Sequence, residues 1–300
     1  MSEVWVDTDF GFDDLWALLL LRHLGCDVAG VSLVAGNAPL DQVAENAAAA
    51  TRAYGFNWPA WRGAAKPLAR SPETAARILG PTGMRSRGRQ LEPGDGTAIP
   101  DGAVAAMGAW LGADPTGPKE VLALGPLTNI ALLLRTSPKL AQRIHRIAWM
   151  GGSTGPGNHT AKAEFNAVAD AEALADVLAS GIRVNIIDLM FCRSVTFSET
   201  DIATGDPLTR DLLGGYLDIA LERGRTDMAI YDPLAALAIA QPGAITFSFC
   251  DVAVSTDPGE TYGETTFSMT DTSHLRVAST ARGDLARTCL DALQGMPARV

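Results

Sequence analysis

The chain has 300 residues, 47% of them hydrophobic and 19% charged, and a formal net charge of −10. That supplies a large buried core and repels a long polyanion such as DNA, so a nucleic-acid partner is excluded and a small neutral or cationic ligand is favoured. Cys26, Cys192, Cys250 and Cys289 are scattered without C-x-x-C spacing, which argues against a zinc site or a disulfide framework.

The first stretch, VWVDTDFGFDDLWALLL over residues 4–20, reads as a strand, an acidic turn marked by Gly11, and the start of a helix over Leu15 to Leu24. CDVAGVSLVAGN predicts a second strand ending near Gly36 and Asn37, Pro39 opens an Ala-rich helix to about Tyr54, and NWPAWRG is a short third strand. Between Ala64 and Pro100 the dense Gly, Pro and Arg of GPTGMRSRGRQLEPGDG predict a surface loop near a site mouth. A helix near Asp101 to Leu111, the strand EVLAL, the helix GPLTNIALLLR and the strand HRIAWM follow. GGSTGPGNHT lacks the spacing of a phosphate-binding loop and reads as flexible. AEFNAVADAEALADVLAS is expected as one helix and IRVNIIDL as a strand, residues 198–240 as helical, CDVAVST with TYGETTFSMT as a hairpin, and Asp284 to Leu293 as the last helix.

Apolar strands separated by helices imply βαβ units and a mainly parallel sheet covered on both faces, an α/β fold. No repeat, linker or shift of composition divides the chain, so residues 1–300 are expected to form a single catalytic domain. No basic leader precedes VWVD, and no apolar run reaches membrane-spanning length once the acidic turn interrupts the first. The expected location is the cytoplasm.

Asp7, Asp9, Asp13 and Asp14 fall within eight positions. Carboxylates so close cannot all ionise cheaply unless something positive holds them, and oxygen-only ligands point to a hard cation, Ca²⁺ or Mg²⁺. A helix cap would account for one carboxylate, not four. In a parallel sheet ligands bind at the carboxyl ends of the strands, where Asp7, Asp9, Asn37, Leu124 and Met150 lie. Asn158, Glu164 and Asn166 flank a loop, and Tyr231 with Asp232 opens a late helix, where Asp232 before Pro233 also suits a cap. Together they offer a metal, acceptors and amides suited to a polyhydroxylated ligand such as a sugar. His23, His145 and His274 show no ligand spacing, and His159 stands apart only through its loop.

DTDFGFDD resembles the DxDPGxDD signature of the nucleoside hydrolases, the inosine-uridine preferring enzymes that cleave the N-glycosidic bond of ribonucleosides. VAGN, LALGPLTNIA, WMGG, GN followed by AEFN, and YDPLA occur in the family's order and at similar spacing. The resemblance implies an open-sheet nucleoside hydrolase fold, a homodimer or homotetramer, and a Ca²⁺ ion held by Asp9, Asp14, Asp232 and the carbonyl of Leu124. It further implies that Asp9 is general base toward a water on the ion. Asp13, Asn37, Asn158, Glu164 and Asn166 would bind ribose, with Met150 and Phe165 packing nearby and Asp7 supporting from behind.

The leaving-group half departs from the family's pattern. Tyr231-Asp232-Pro233 stands where many members have His-Asp-Pro, Leu79-Gly80 stands where a second histidine is expected, and Phe10 replaces the usual proline. Tyr231, Arg223 or Arg225 is the expected contact to the base. Two other readings are a non-catalytic nucleoside or ribosyl binder, motivated by the missing histidines, and a phosphatase similar to the haloacid dehalogenases. The latter's DxDx[TV] is spoiled by Gly11.

Overall fold

The computed structural model describes residues 3–93, 98–113, 117–202, 205–295 and 298. Its first strand, β1 (Glu3–Thr8), is buried on both faces and leads into α1 (Phe12–His23). After the acidic first turn α1 is apolar on nearly every side, so it lies under other helices as well as on the sheet. Then come β2 (Asp27–Leu33), α2 (Leu40–Tyr54), β3 (Ala60–Arg62), the short α3 (Ala76–Leu79) and α4 (Ala103–Ala113). β4 (Lys119–Ala123), α5 (Thr128–Thr136), α6 (Pro138–Ala141) and β5 (Ile144–Met150) continue the alternation. The middle of the chain supplies α7 (Phe165–Ala169), α8 (Ala171–Ala179), β6 (Val184–Ile187), α9 (Leu189–Arg193), β7 (Thr196–Ser198), α10 (Pro207–Leu221), β8 (Asp227–Ala229) and α11 (Asp232–Ala240). β9 (Ile245–Val254), β10 (Thr265–Met269), β11 (Leu275–Ala281) and α12 (Leu285–Gly295) complete it.

Nine strands form one sheet in the order β10-β9-β11-β6-β5-β4-β1-β2-β3. β3 to β11 run parallel, and the predicted hairpin of β9 and β10 is added antiparallel at the β11 edge. Alternate residues face opposite ways. Val4, Val6, Leu122, Ala148 and Ile187 join one core with α1, α10, α11 and α12. Trp5, Val121, Ala123, Ile147 and Ile186 join the other with α4, α5 and α8. β2 lies on one side of β1 and β4 on the other, so the loops after β1 and β4 part and leave a crevice at their carboxyl ends. Among the described residues no helix is long and apolar enough to cross a membrane.

Two expectations needed correction, and one strand was not anticipated. The helix expected over residues 163–180 is two, broken at Asp170 (φ −155°, ψ 79°), whose carboxylate accepts from Ala173 N at 3.0 Å, Leu68 N at 2.9 Å and Thr128 Oγ1 at 2.7 Å. A side chain so committed to tertiary partners caps a new helix instead of continuing the old one. Residues 198–240 are not all helical: β7 and β8 pair antiparallel across α10, each only three residues long and too short to leave a period in the sequence. β11 carries no apolar alternation beyond Val277 and Ala278, because its end is an exposed Ser-Thr-Ala. The loop between residues 64 and 100 holds only the single turn of α3 among its described residues, and 94–97 lie outside them.

Candidate active site

The crevice is one cavity, lined by Asp9, Asp13, Asn37, Leu124, Met150, Asn158, Glu164, Phe165, Asn166, Tyr231 and Asp232 among others. Asp14 lies directly behind, wholly buried, and Asp7 sits within β1. Every residue predicted for the site is therefore at or beside this one place.

The acidic turn is held by its own hydrogen bonds. Gly11 N donates to Asp14 Oδ2 at 2.7 Å, Thr8 Oγ1 donates to Asp14 Oδ1, and Phe10 N donates to Thr8 Oγ1 at 3.0 Å. Phe10 takes φ 44°, a left-handed conformation rare for a bulky residue, and its carbonyl accepts from Asn46 Nδ2 at 3.1 Å. Asn37 then clamps two acids at once. Its backbone N donates to Asp9 Oδ2 at 2.7 Å, and its Nδ2 lies 3.1 Å from Asp9 Oδ1 and 3.2 Å from Asp14 Oδ2. Room for Asp9 depends on missing side chains. A Cβ on Gly36 would stand 2.1 Å from Asp9 Oδ2, and one on Gly125 would stand 2.9 Å from Asp9 Cγ.

Asp7 faces the other side of the sheet. Its Oδ1 accepts from Ser32 and, at 2.8 Å, from Asn129 Nδ2, while its backbone carbonyl takes Leu124 N at 2.8 Å and so sets the Leu124 loop. Its Oδ2 is buried with no partner, and burial pushes its pKa up to about 7.

Asp13, Asp14 and Asp232 each bring one carboxylate oxygen within 4.8 Å of the others. Burial, reinforced by the mutual repulsion of these acids, raises Asp9 and Asp232 well above the ordinary carboxylate range and Asp13 to about 7. Burial also raises Asp14, against the pull of the Thr8 hydroxyl. No ion pair among the described residues involves any of the four. Oxygen donors alone, crowded, buried and without a protein cation, fit a hard divalent ion. The resemblance puts Asp9 rather than Asp13 on that ion; the geometry groups Asp13 with Asp14 and Asp232 and ties Asp9 to Asp14 through the Asn37 amide. Leu124 O accepts from Asn166 Nδ2 at 2.9 Å, which leaves it a second lone pair.

Across the cavity, Glu164 caps α7. It accepts from Asn166 N at 2.9 Å, Gly152 N at 2.8 Å and Ala167 N at 3.1 Å, yet burial outweighs these bonds and pushes it up to about 7. Asn158 Oδ1 accepts from Phe165 N at 2.9 Å, and Asn166 Nδ2 also reaches Met150 O at 3.0 Å. One carboxylate and two amides thus stand together on this wall of the cavity.

Sequence reasoning missed four groups. Tyr216, in the middle of α10, donates its hydroxyl to Asp13 Oδ2 at 2.8 Å, 203 positions away in the chain. Thr8 organises Asp14, and Ile78 and Arg193 line the cavity. Only Thr8, inside the acidic motif, carried a local signal. His159 is placed more firmly than its loop suggested: its ring lies 5.4 Å from that of Phe165 and its Nε2 is 3.2 Å from Glu73 Oε2. Leu79, Arg223 and Arg225 also line the cavity. Tyr231 faces it with a phenol that makes no hydrogen bond to the described protein, and burial raises its pKa.

Residues 4–289 match the family model described as inosine-uridine preferring nucleoside hydrolase. The non-specific ribonucleoside hydrolase RihC of Escherichia coli is 33% identical over 269 residues, covering 87% of this chain and 86% of its own. A Schizosaccharomyces pombe protein, C17G8.02, is 43% identical over 176 residues, but the match spans 58% of this chain and only 53% of the yeast protein. The purine-preferring ribonucleoside hydrolase from Gardnerella vaginalis superposes with a TM-score of 0.87 over 98% of both chains at 22% identity, a likeness of fold. The chain belongs to the inosine-uridine preferring nucleoside hydrolase family.

Proposed function

We propose that this enzyme, an N-glycosidase by family, hydrolyses the bond between ribose and base in ribonucleosides with the help of Ca²⁺. The observation that carries the reading is the meeting of four buried carboxylates with a wall of amides and a capping glutamate around one cavity at the reversal of strand order. Asp9, Asp14, Asp232 and the Leu124 carbonyl would hold the ion. Bound there, it supplies the positive charge that keeps the acids ionised, acidifies a water and grips the ribose diol.

Asp9 takes a proton from the attacking water as the C1′–N bond breaks and its electron pair passes to the base. Asp13 and Glu164 face the positive charge that develops on the sugar ring, and Asn37, Asn158 and Asn166 fix the hydroxyls so that C1′ meets the water. Tyr231 donates a proton to the departing base. Its phenol faces the cavity and has no protein partner to compete for the proton. We place this reaction in cytoplasmic nucleoside salvage, in a dimer or tetramer, on likeness to the family.

Incubating the calcium-loaded protein with purine and pyrimidine ribonucleosides is expected to release free base and ribose, followed by chromatography. Release from none of them, with tight nucleoside binding retained, would turn the reading into that of a binding relative. Tyr231→Phe is expected to lower kcat/KM by about 10²-fold, the low end of what a positioned acid supplies. Unchanged kcat/KM across several nucleosides would remove the tyrosine from the reaction.

A further inference from the structure

The cavity is lined by side chains of both charges. Arg193, Arg223 and Arg225 line it together with Asp9, Asp13, Glu164 and Asp232, in a chain whose net charge is −10. Neighbouring arginines are committed to carboxylates: Arg85 to Glu222 at 2.8 Å, Arg87 to Glu199 at 2.7 Å and to Asp218 at 3.0 Å. The three at the cavity make no ion pair among the described residues. Arg193 reaches only the Gly157 carbonyl at 3.4 Å and the Met190 sulfur at 3.8 Å, and Arg225 only the Met228 sulfur at 4.0 Å. The Arg223 guanidinium makes no hydrogen bond to the described protein.

Their positions are fixed by the backbone. α10 closes in a turn in which the amides of Arg223 and Arg225 both donate to Ala220 O, at 3.0 and 3.1 Å, and Gly224 N donates to Leu221 O at 2.9 Å. Gly224 takes φ 72°, the left-handed conformation that ends helices, and the two arginines flank it. Arg193 stands at the end of α9, and it and Arg225 both act electrostatically on Tyr231.

A guanidinium is a planar fork of donors whose best partner is a carboxylate or phosphate oxyanion. Arg223 and Arg225 are exposed and Arg193 half-buried, so water solvates them in the free protein and an oxyanion entering the cavity would meet donors that no protein carboxylate holds. We propose that the substrate of this site carries an oxyanion, either a carboxylate on the base or a phosphate on O5′, held by Arg193, Arg223 and Arg225 while the acids take the ribose diol. The inference rests on the nucleoside hydrolase reading and reverses the expectation from net charge, because the field inside a cleft is set by its own lining.

The test is calorimetric titration of the calcium-loaded protein, and of its Arg223→Gln/Arg225→Gln variant, with uridine, 6-carboxyuridine and uridine 5′-monophosphate, alongside release of free base from each. One of the two anionic ligands is expected to bind at least about tenfold more tightly than uridine, and which one identifies the source of the oxyanion. That preference is expected to fall by about tenfold in the double variant, to recover in Arg223→Lys/Arg225→Lys, and to shrink as salt is raised. Equal affinity for all three ligands, or the same loss for all three in the variant, overturns the inference and leaves the arginines as a counterweight to the acids. Base release from uridine with no anion preference refutes it while the hydrolase reading stands. Arginine-dependent anion preference with no base release from any ligand refutes hydrolysis and keeps the anion site.

Discussion

Asp9→Asn is expected to lower kcat/KM for the preferred ribonucleoside by about 10²–10⁴-fold, the range a positioned general base supplies, without lowering the Tm of the metal-free protein. The side chain is wholly buried and pressed between Gly36 and Gly125, so only an isosteric change fits. The amide oxygen can still accept from Asn37 N, where the carboxylate does so at 2.7 Å. What is lost is the proton acceptor and one of several mutually repelling acids. Removing that repulsion offsets the cost of turning an amide NH₂ toward Asn37 Nδ2. Kinetics and thermal denaturation of the same preparation check it: a fall in Tm of the size seen for a large core truncation would make Asp9 part of the scaffold instead.

The second large effect is on stability. In the metal-free protein Asp7, Asp13 and Glu164 have pKa values near 7, raised by burial from 3.8, 3.8 and 4.5. Between those limits the folded state holds protons that the unfolded chain has released, so stability falls as pH rises. The contribution of these groups is complete below their unfolded values and is lost as pH passes through about 7. A divalent cation acts in the opposite sense, since it binds the ionised forms of Asp9, Asp14 and Asp232, which burial likewise pushes toward protonation. At a hundredfold excess over Kd it stabilises by about 2.7 kcal/mol, which raises Tm by about 5 °C in a chain of this size. We therefore expect Tm in chelator to be lower at pH 8 than at pH 5.5, and the rise on adding Ca²⁺ to be larger at pH 8. A calcium effect that is absent at pH 8 would refute the assignment of Asp9, Asp14 and Asp232 to a metal.

The sheet was legible because β1, β2, β4 and β5 are buried on both faces and read as nearly unbroken apolar runs. The acidic turn was legible for the opposite reason, since nothing in a core tolerates four carboxylates without a purpose. Asp232 was harder: before a proline it looked like a cap, and only its meeting with Asp13 and Asp14 separates it from one. Tyr216 and Arg193 were invisible because each sits in an ordinary helix and gains its role from a partner far along the chain. The break at Asp170 was hidden likewise, since its carboxylate is bound by Leu68 and Thr128, which no helical pattern reveals.

Phe10 reaches beyond the geometry of its turn. It holds φ 44°, and its amide hydrogen is bound to Thr8 Oγ1. A proline has no such hydrogen and fixes φ near about −65°, so the family's usual DxDPGxDD motif cannot trace this backbone. The two forms thus differ in backbone path as well as in side chain. Passing between them reverses the sign of a torsion, removes the amide hydrogen bond that Thr8 Oγ1 accepts and reorients the carbonyl that Asn46 holds. A proline here would therefore require the acidic turn to be retraced, and with it the spacing of the carboxylates that the turn carries.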